Sequence, residues 1–268
     1  MRILVGALVY YPKILGGGEI STQLMCEGLA KRGHEVYVLC LGMEDKDEII
    51  NNVKVRRIYL PKASEIYCLN EEDNAIFSKV KLKFGDYLYN QKLYRMYLNY
   101  IKTIKPDLVH STAHMSNMGR YNFWKAASDM KIPVSHVFRC PSLVERNSSI
   151  EILNRIKMVL NRNAIKLIDY FAAPSRYMLE LNELLDSRIK TGTIIYNAVD
   201  FQNKPPLPKK KKMILYAGVL KEDKGLITLV KAYKRIKDDA YNLVMVGKGE
   251  LKSYLQNEGV KVLDWMPR

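Results

Sequence analysis

The chain has 268 residues, of which 48% are hydrophobic, and 43 Lys and Arg against 28 Asp and Glu give a formal net charge of +15. This length allows one large core or two ordinary ones, because a domain usually takes about 100–200 residues. The basic excess favours anionic partners, which could be nucleic acid, an anionic membrane surface or phosphorylated small molecules. No apolar run approaches the length of a membrane span, so we expect a soluble or peripheral protein.

Cysteine spacing indicates the compartment. No two of the four cysteines have the spacing of a metal knuckle or a CxxC pair, which favours a reduced, cytosolic setting. The N-terminal run MRILVGALVYYP is too short for a span and is followed by no cleavage site, so we interpret it as a first buried strand.

Short apolar runs alternate with helical patterns in the first 200 residues. The predicted strands are Ile3–Val9, Glu35–Leu41, Val53–Tyr59, Asp107–His110, Val134–Phe138, Tyr170–Ala173 and Thr193–Tyr196. The predicted helices are Glu19–Arg32, Asn117–Met130, Ile150–Lys166 and Ser175–Leu185. Such alternation predicts an α/β fold of parallel βαβ units, with helices on both faces of the sheet.

The segment DFQNKPPLPKKKK, Asp200 to Lys212, interrupts this pattern and is interpreted as a linker, because its prolines suit neither a helix nor a central strand. Strand and helix patterns then resume. We predict an N-terminal Rossmann-like domain over 1–200, a linker over 201–212 and a C-terminal domain over 213–268. The C-terminal domain is expected to be incomplete, because three strands leave a parallel sheet without covered faces and edges.

Three glycines, Gly16, Gly17 and Gly18, lie between the first strand and the helix Glu19–Arg32. Glycine lets backbone N–H groups approach a ligand closely, and a helix N-terminus favours negative charge. The spacing fits neither GxGxxG nor GxxxxGK[ST]. The alternative is a flexible turn between strand and helix.

A second phosphate-site candidate is Lys224, which with Gly225 directly precedes the helical face Leu226–Ile236. A lysine at a helix N-terminus is unfavourable for the helix dipole unless an anion shares the site. Lys224 is therefore a candidate diphosphate ligand, and a solvated surface lysine is the alternative.

Two further motifs follow strands. Gly247 and Gly249 form a GxG, but Lys252 occupies the place of a third glycine. Asn197 and Asp200 lie just beyond a strand, where they could simply form a turn by bonding to their own backbone.

The order of these segments along the chain is more specific than any one of them. The matching segments are GGGE at 16–19, LAKRGHEVYVL at 29–39, KPDLVH at 105–110, IYNAVD at 195–200, YAGVLKEDKGLITLVKAY at 216–233 and LVMVGKGELKSYL at 243–255. Together they resemble the retaining glycosyltransferases of family 4, which have the GT-B fold.

The resemblance implies two Rossmann-like domains facing each other across a cleft. It implies transfer of a hexosyl-type sugar from a nucleotide-diphosphate donor, with retained configuration and no obligatory metal. The donor phosphates would be bound by Gly16, Gly17, Gly18, Gly218 and Lys224, with Lys224 neutralising the leaving diphosphate. The implied cleft and hinge residues are Glu19, Asn197, Asp200, Gly247 and Gly249.

The sequence departs from the family pattern at three places. Val219 stands where the family usually has an Arg that pairs with the Lys, and the loss of one charge-assisted phosphate contact would cost about 1.5–3 kcal/mol in donor binding. Arg139 aligns with a frequent cleft His, and His136, three residues earlier, is expected on the opposite face of its strand. The family's pair of glutamates seven residues apart is not matched by Glu250 or Glu258.

Other polar residues are candidates for catalysis or metal binding. His110 ends a predicted strand at a typical cleft position, and we predict that it lines the cleft and that His110 and Arg139 are catalytic. The alternative for His110 is a hydrogen-bonded structural histidine, and a zinc role lacks ligands at the right spacing, even with His114 nearby. The carboxylates of 70–73 and 238–239 are interpreted as solvated loop charges.

The basic and aromatic stretch Lys79–Lys105 has three interpretations. It is predicted to be an amphipathic helix that packs a Tyr/Leu face on its domain. The alternatives are contact with an anionic membrane surface and binding of single-stranded nucleic acid, and no RRM, KH or helix-turn-helix signature supports the last.

Residues and resemblance together predict a glycosyltransferase that moves a sugar from a UDP- or GDP-sugar to a glycan or lipid-linked acceptor. No cofactor, metal or nucleic acid is expected. The predicted location is cytoplasmic, with a peripheral position on the inner face of the membrane as an option. The alternative is a non-catalytic, truncated chain that binds an acceptor or a partner.

Overall fold

A computed structural model of the chain describes residues 1–61, 63–69, 88–112, 115, 118–141, 143–144, 151–199, 212–236 and 241–264. The chain forms two compact units, Met1–Phe201 and Gln202–Arg268. Each unit is described by itself. The predicted linker lies outside the described residues except for its last residue, as do residues 79–87 of the predicted basic helix.

The N-terminal unit is built on one eight-stranded sheet. Its strands are β1 (Arg2–Gly6), β2 (Glu35–Leu41), β3 (Lys46–Ile50), β4 (Val53–Ile58), β5 (Leu108–Thr112), β6 (Val134–Val137), β7 (Tyr170–Ala173) and β8 (Thr193–Ile194). Their order across the sheet is β3-β4-β2-β1-β5-β6-β7-β8, and every neighbouring pair is parallel except β3 with β4.

Among the described residues, five α-helices accompany this sheet: α1 (Gly17–Lys31), α2 (Gln91–Ile104), α3 (Arg120–Asp129), α4 (Glu151–Ile165) and α5 (Arg176–Asn182). A short π-helical segment spans Glu65–Leu69, and a 3₁₀ turn spans Ser187–Thr191. Side chains cap three of the described helix starts: Asn90 accepts hydrogen bonds from two backbone amides of α2, Ser175 accepts one from Met178 of α5, and Asp186 accepts one from Arg188 in the 3₁₀ turn.

The two faces of the sheet have separate cores. On one face, Cys26 of α1 packs with buried side chains of β1, β2 and β4. On the other face, α2 to α5 pack around Phe123, Trp124 and Phe138. This division follows from the right-handed crossover rule, because the chain moves one way across the sheet from β1 to β4 and the opposite way from β5 to β8.

Most predicted elements are present, with ends shifted by a few residues. Glu35–Leu41 and Tyr170–Ala173 are confirmed with the predicted bounds, whereas the first strand ends at Gly6 instead of Val9. Strand β3 was not predicted. Its sequence KDEII is an exposed antiparallel edge with little apolar periodicity.

The described part of the basic stretch Lys79–Lys105 forms α2, which buries Tyr97 and Ile101 in the N-terminal core. The predicted packing of its apolar face is therefore confirmed for that part. Among the helices within the described ranges, none combines the length and apolarity that crossing a membrane requires.

The C-terminal unit holds a parallel sheet in the order β11-β10-β9. Its strands and helices are β9 (Lys212–Ala217), α6 (Leu226–Tyr233), β10 (Tyr241–Val246), α7 (Lys252–Asn257) and β11 (Lys261–Leu263). The buried core of this unit includes Leu226, Val230, Leu243, Met245 and Leu255. The predicted helical face of α6 thus packs on the sheet.

Candidate functional site

The candidate site of the N-terminal unit lies at the carboxyl ends of its parallel strands. The chain leaves β1 through a loop and enters α1 at Gly17. Strand β1 is flanked by β2 and β5, and the strand order runs in opposite directions on these two sides of β1. Ligands of open α/β sheets bind at such reversal points. The predicted glycines therefore stand at the position where the fold favours a ligand.

The glycine turn itself is open. Gly16 is the N-cap of α1 with an extended backbone, and no side chain caps this helix. A Cβ on Gly17 would meet no protein atom within 4 Å, and one on Gly16 would meet only Glu19 Oε2 at 3.8 Å. The protein's own packing does not demand glycine at these two positions, so the free space is available to a ligand approaching the helix amides.

Arg139 fixes the first turn of α1. Its guanidinium donates to the carbonyl oxygen of Gly18 at 2.7 Å and to Oγ1 of Thr22 at 2.6 Å. Burial lowers the pKa of Arg139, while Cys26 and the buried carboxylate of Glu19 oppose that shift. Arg139 thus has a positioning contact that the sequence did not reveal, and its catalytic role stays a prediction.

His110 lies on β5 and is a neutral imidazole at ordinary pH. Its Nδ1 shares a 2.8 Å hydrogen bond with Oγ of Ser135 on β6. Burial, and secondarily the positive charge of Arg139, lowers the pKa of His110 to about 4. Nε2 of His110 and Nε of Arg139 are both buried, and neither has a hydrogen-bond partner among the described residues.

These side chains share one pocket of about 240 Å³ beside α1. His110, Arg139, Ser21 and Asn197 line it, and Ser21 donates a 3.2 Å hydrogen bond to Oδ1 of Asn197. The pocket therefore joins α1, β5, the end of β6 and the segment after β8. Two buried nitrogens without partners make it suitable for a ligand that carries hydroxyl or anionic oxygens.

His136 belongs to a different environment, as its position on the strand predicts. Its ring lies edge-on to Trp124 and Phe138, with centroid distances of 5.2 and 4.8 Å, and its Nδ1 pairs with Ser111 Oγ at 2.8 Å. It is buried in the core on the face opposite α1. This placement agrees with the strand periodicity that made His136 a poor substitute for a cleft histidine, and its lack of a catalytic role stays a prediction.

A larger hollow of about 540 Å³ lies between α2 and the strands at the β3 side of the sheet, lined by Tyr37, Lys54, Arg56, Thr103 and Ile104 among others. It adjoins the last turn of α2 and the middle of β2, β3 and β4, away from the carboxyl ends of the strands. Because ligands of parallel sheets bind at the carboxyl ends of strands, we do not assign it the same role.

The C-terminal unit brings its predicted glycines together. A Cβ on Gly247 would lie 1.8 Å from the carbonyl oxygen of Gly218, and one on Gly249 would lie 2.3 Å from that of Leu220. Backbone hydrogen bonds join the same loops, from Gly218 N to Val246 O at 2.9 Å and from Leu220 N to Lys248 O at 2.8 Å. Gly247 and Gly249 therefore allow the loops after β9 and β10 to touch, which is a packing reason for this GxG.

Lys224 closes a 3₁₀ turn immediately before α6, and Gly225 caps that helix with a left-handed φ of 72°. The Lys224 side chain is half exposed, and its Nζ lies 3.3 Å from Asp223 Oδ2. Val219, in the place of the family's Arg, is 49% exposed. The Lys224 ammonium thus lies at the amino end of α6, where an anion would be bound by the ammonium and by the backbone amides of the helix.

Arg57 supports the site and was not singled out from the sequence. It donates to Glu48 Oε1 at 2.5 Å and to the carbonyl oxygen of Tyr11 at 2.6 Å. Its side chain is only 14% exposed. It therefore ties the loop between β1 and the glycine turn to β4 and to the unpredicted strand β3.

Within the described ranges, no group of three or more His, Cys, Asp or Glu side chains could hold a metal ion. The carboxylates of 70–73 and 238–239, together with His114 and Asp200, lie outside those ranges.

Comparison with known families agrees with this fold. Residues 15–203 match the family model Glycosyltransferase Family 4, and residues 199–262 match Glycosyl transferases group 1. The chain belongs to glycosyltransferase family 4.

Two relatives add detail. An uncharacterized 42.6 kDa protein of the cps region of Klebsiella pneumoniae is 34% identical over 149 residues, covering 55% of this chain and 39% of the relative. An uncharacterized glycosyltransferase of Methanocaldococcus jannaschii is 22% identical over 277 residues, covering 96% of this chain and 65% of the relative. The match thus spans less than two thirds of the length of either relative.

Solved structures share the fold at low sequence identity. The lipopolysaccharide outer core galactosyltransferase WaaB has a TM-score of 0.59 at 17% identity, over 99% of this chain and 68% of that one. Anabaena HepE in complex with UDP-glucose has a TM-score of 0.63 at 13% identity, over 100% and 70%. These likenesses agree with the predicted fold class, an α/β fold of the GT-B type.

Proposed function

We propose that the protein transfers a sugar from a nucleotide-diphosphate sugar to a glycan or lipid-linked acceptor. The observation that carries this proposal is the open glycine turn at the amino end of α1, in a chain of glycosyltransferase family 4. The donor is proposed to be a UDP- or GDP-sugar. A structural neighbour, Anabaena HepE, is described in complex with UDP-glucose and with UDP, which supports a nucleotide-diphosphate donor.

The residues present suggest separate tasks. Lys224 and the amino end of α6 are proposed to hold the diphosphate as it leaves, because charge that develops on a leaving group is stabilised by fixed cations and helix amides. The neutral His110 and the Nε–H of Arg139 are proposed to hydrogen-bond sugar or acceptor oxygens in the pocket beside α1. We propose a hexosyl-type sugar, retained configuration and independence from metals.

The proposed location is cytoplasmic and peripheral on the inner face of the membrane, where a lipid-linked acceptor would be accessible. The net charge of +15 supports contact with anionic lipid.

The test is turnover. The chain is incubated with a panel of UDP- and GDP-hexoses, and the released nucleotide is measured by chromatography with and without EDTA, using K224Q as the impaired variant and K231Q as its control. We expect release with at least one donor, unaffected by EDTA, reduced in K224Q and retained in K231Q. NMR of the anomeric proton in the product reports the stereochemistry. Nucleotide binding without any turnover would instead support the non-catalytic alternative, which the valine at position 219 favours.

A further inference from the structure

Helix α4 (Glu151–Ile165) has apolar residues on two sides. Its inner side contributes Ala164 and Ile165 to the N-terminal core. On its outer side, Ile152, Ile156 and Val159 are between 44% and 61% exposed. A helix on the surface of a globular protein normally has one apolar stripe and a polar opposite face.

The three outer residues form one stripe. Their spacing of four and then three residues places them on the same face of the helix. Leu184, which is 60% exposed, lies near the carboxyl-terminal part of α4, because Arg162 of α4 donates two hydrogen bonds to its carbonyl oxygen at 3.0 and 3.2 Å. Large aliphatic side chains grouped on an exposed face indicate an interaction surface.

The edge of the stripe is basic. Arg155 and Arg162 follow each other at a spacing of seven residues, and Lys166 comes next on the same side. Among the described residues, Oε1 of Glu151 is 3.7 Å from Nε of Arg155 in a solvent-exposed pair. Such a pair is worth little in water and leaves the edge positively charged.

We propose that the outer face of α4 rests on an anionic lipid surface. Aliphatic side chains bordered by arginine and lysine are the composition of a helix that lies in the plane of a membrane interface, with the basic groups reaching the headgroups. Each basic side chain adds attraction to anionic lipid. A protein partner with an apolar patch would not by itself explain the cationic edge.

This inference assigns a contact face to the peripheral location proposed above and rests on that part of the proposal. It is independent of sugar transfer. It also moves the expected contact from α2, which the basic stretch Lys79–Lys105 suggested, to α4, because α2 buries Tyr97 and Ile101 in the core.

The test is sedimentation of the full chain with vesicles of phosphatidylglycerol and phosphatidylcholine, compared with phosphatidylcholine alone. The variant I156D/V159D places charges in the stripe. Its matched control is I49D on β3, since Ile49 is 73% exposed and lies far from α4 in the sheet order. R155Q/K166Q removes charge from the edge of α4, and K92Q/K102Q removes the same charge from α2.

We expect the wild type to bind the anionic vesicles, with weaker binding in high salt. I156D/V159D should bind about tenfold or more weakly, because two aliphatic side chains no longer enter the interface. R155Q/K166Q should bind several-fold more weakly, whereas I49D and K92Q/K102Q should bind like the wild type. Circular dichroism of each variant checks that it is folded.

Three results would overturn the inference. Absence of vesicle binding by the wild type would reject both the lipid surface and the peripheral location, while leaving sugar transfer to its own assay. Normal binding by the α4 variants, with loss in K92Q/K102Q, would return the contact to α2. A wild-type dimer in analytical ultracentrifugation that I156D/V159D dissociates, without lipid binding, would show that a second copy covers α4.

Discussion

Arg139, just beyond the end of β6, donates a 2.7 Å hydrogen bond to the carbonyl oxygen of Gly18 in the first turn of α1. The same guanidinium also reaches Thr22, one helical turn further on. The carboxyl edge of the sheet is thereby joined to the helix that presents the glycine turn. Arg139, which the resemblance predicts to be catalytic, therefore also holds the geometry of that turn.

Removing this contact should loosen the turn. We expect R139A to lower the free energy of unfolding by about 2 kcal/mol, since hydrogen bonds from a charged donor are lost in a half-buried place. Urea denaturation measures this change, with R95Q on the exposed side of α2 as the control. R139K should recover only part of the loss, because an ammonium lacks the planar fork. Unchanged stability of R139A would show that the contact does not hold the turn.

Two glycine substitutions should behave differently. G17A is expected to fold with nearly wild-type stability, because its Cβ meets open space, yet to weaken nucleotide-diphosphate binding if a ligand approaches there. G247A should destabilise the C-terminal unit by more than about 1 kcal/mol, because its Cβ would overlap the carbonyl oxygen of Gly218. Thermal melting and UDP titration of both variants separate the two effects. Equal destabilisation of both would contradict this assignment.

The proposed diphosphate site around Lys224 can be tested by adding a second cation. V219R adds a guanidinium where the family usually has one, next to Gly218. We expect tighter binding of UDP or GDP, by roughly tenfold, because a charge-assisted contact to phosphate is added. Calorimetric titration measures it, and V219Q controls for side-chain size. A V219R variant that binds no better than V219Q would argue against a diphosphate at this loop.

His110 should make stability depend on pH. The folded protein keeps this imidazole neutral down to about pH 4, whereas an unfolded chain protonates histidine near about pH 6.5. As the pH falls through this window, the unfolded state binds a proton that the folded state does not, so stability decreases by up to about 1.4 kcal/mol per pH unit. Above the window, both states are neutral and His110 has no effect.

H110N should reduce this acid destabilisation, since the asparagine does not titrate. Urea midpoints of wild type and H110N between pH 7 and 4 provide the measurement. His136, whose pKa is also lowered by burial, continues to contribute in both proteins. Identical pH profiles would mean that His110 is not held neutral.

The neighbouring arginines of β4 offer an internal comparison. Arg57 is largely buried and bonds Glu48 and the loop before the glycine turn, whereas Arg56 is more exposed and pairs with exposed Asp47. R57Q should cost about 2–3 kcal/mol of stability and R56Q less than about 1. Chemical denaturation measures the free energy of unfolding of the two variants. Equal losses of stability in R57Q and R56Q would contradict the structural role of Arg57.

The parallel strands and their helices could be predicted because apolar runs such as Glu35–Leu41 are buried on both faces and bounded by clear helical patterns. Strand β3 could not, since an exposed edge needs no apolar periodicity. The contacts by which Arg57 holds the loop before the glycine turn depend on the pairing of β3 with β4, so the sequence alone could not predict them.

Two features of the site could be predicted from the sequence. The alternation of side chains along a strand predicts opposite faces for His136 and Arg139, and the order of elements along the chain places the glycines directly before α1. The bonds from Arg139 to α1 could not be predicted, because they join residues 117 and 121 positions apart. The packing role of Gly247 was likewise hidden, since it depends on how closely two loops approach.

The most direct measurement of the central claim is calorimetric titration of the chain with UDP and with GDP, comparing wild type, K224Q and K231Q. We predict saturable binding of at least one nucleotide diphosphate by the wild type, loss of about tenfold or more in affinity for K224Q, and unchanged affinity for K231Q on the exposed side of α6. Absence of binding by folded wild-type protein, or equal affinities for wild type and K224Q, would contradict a diphosphate site at Lys224.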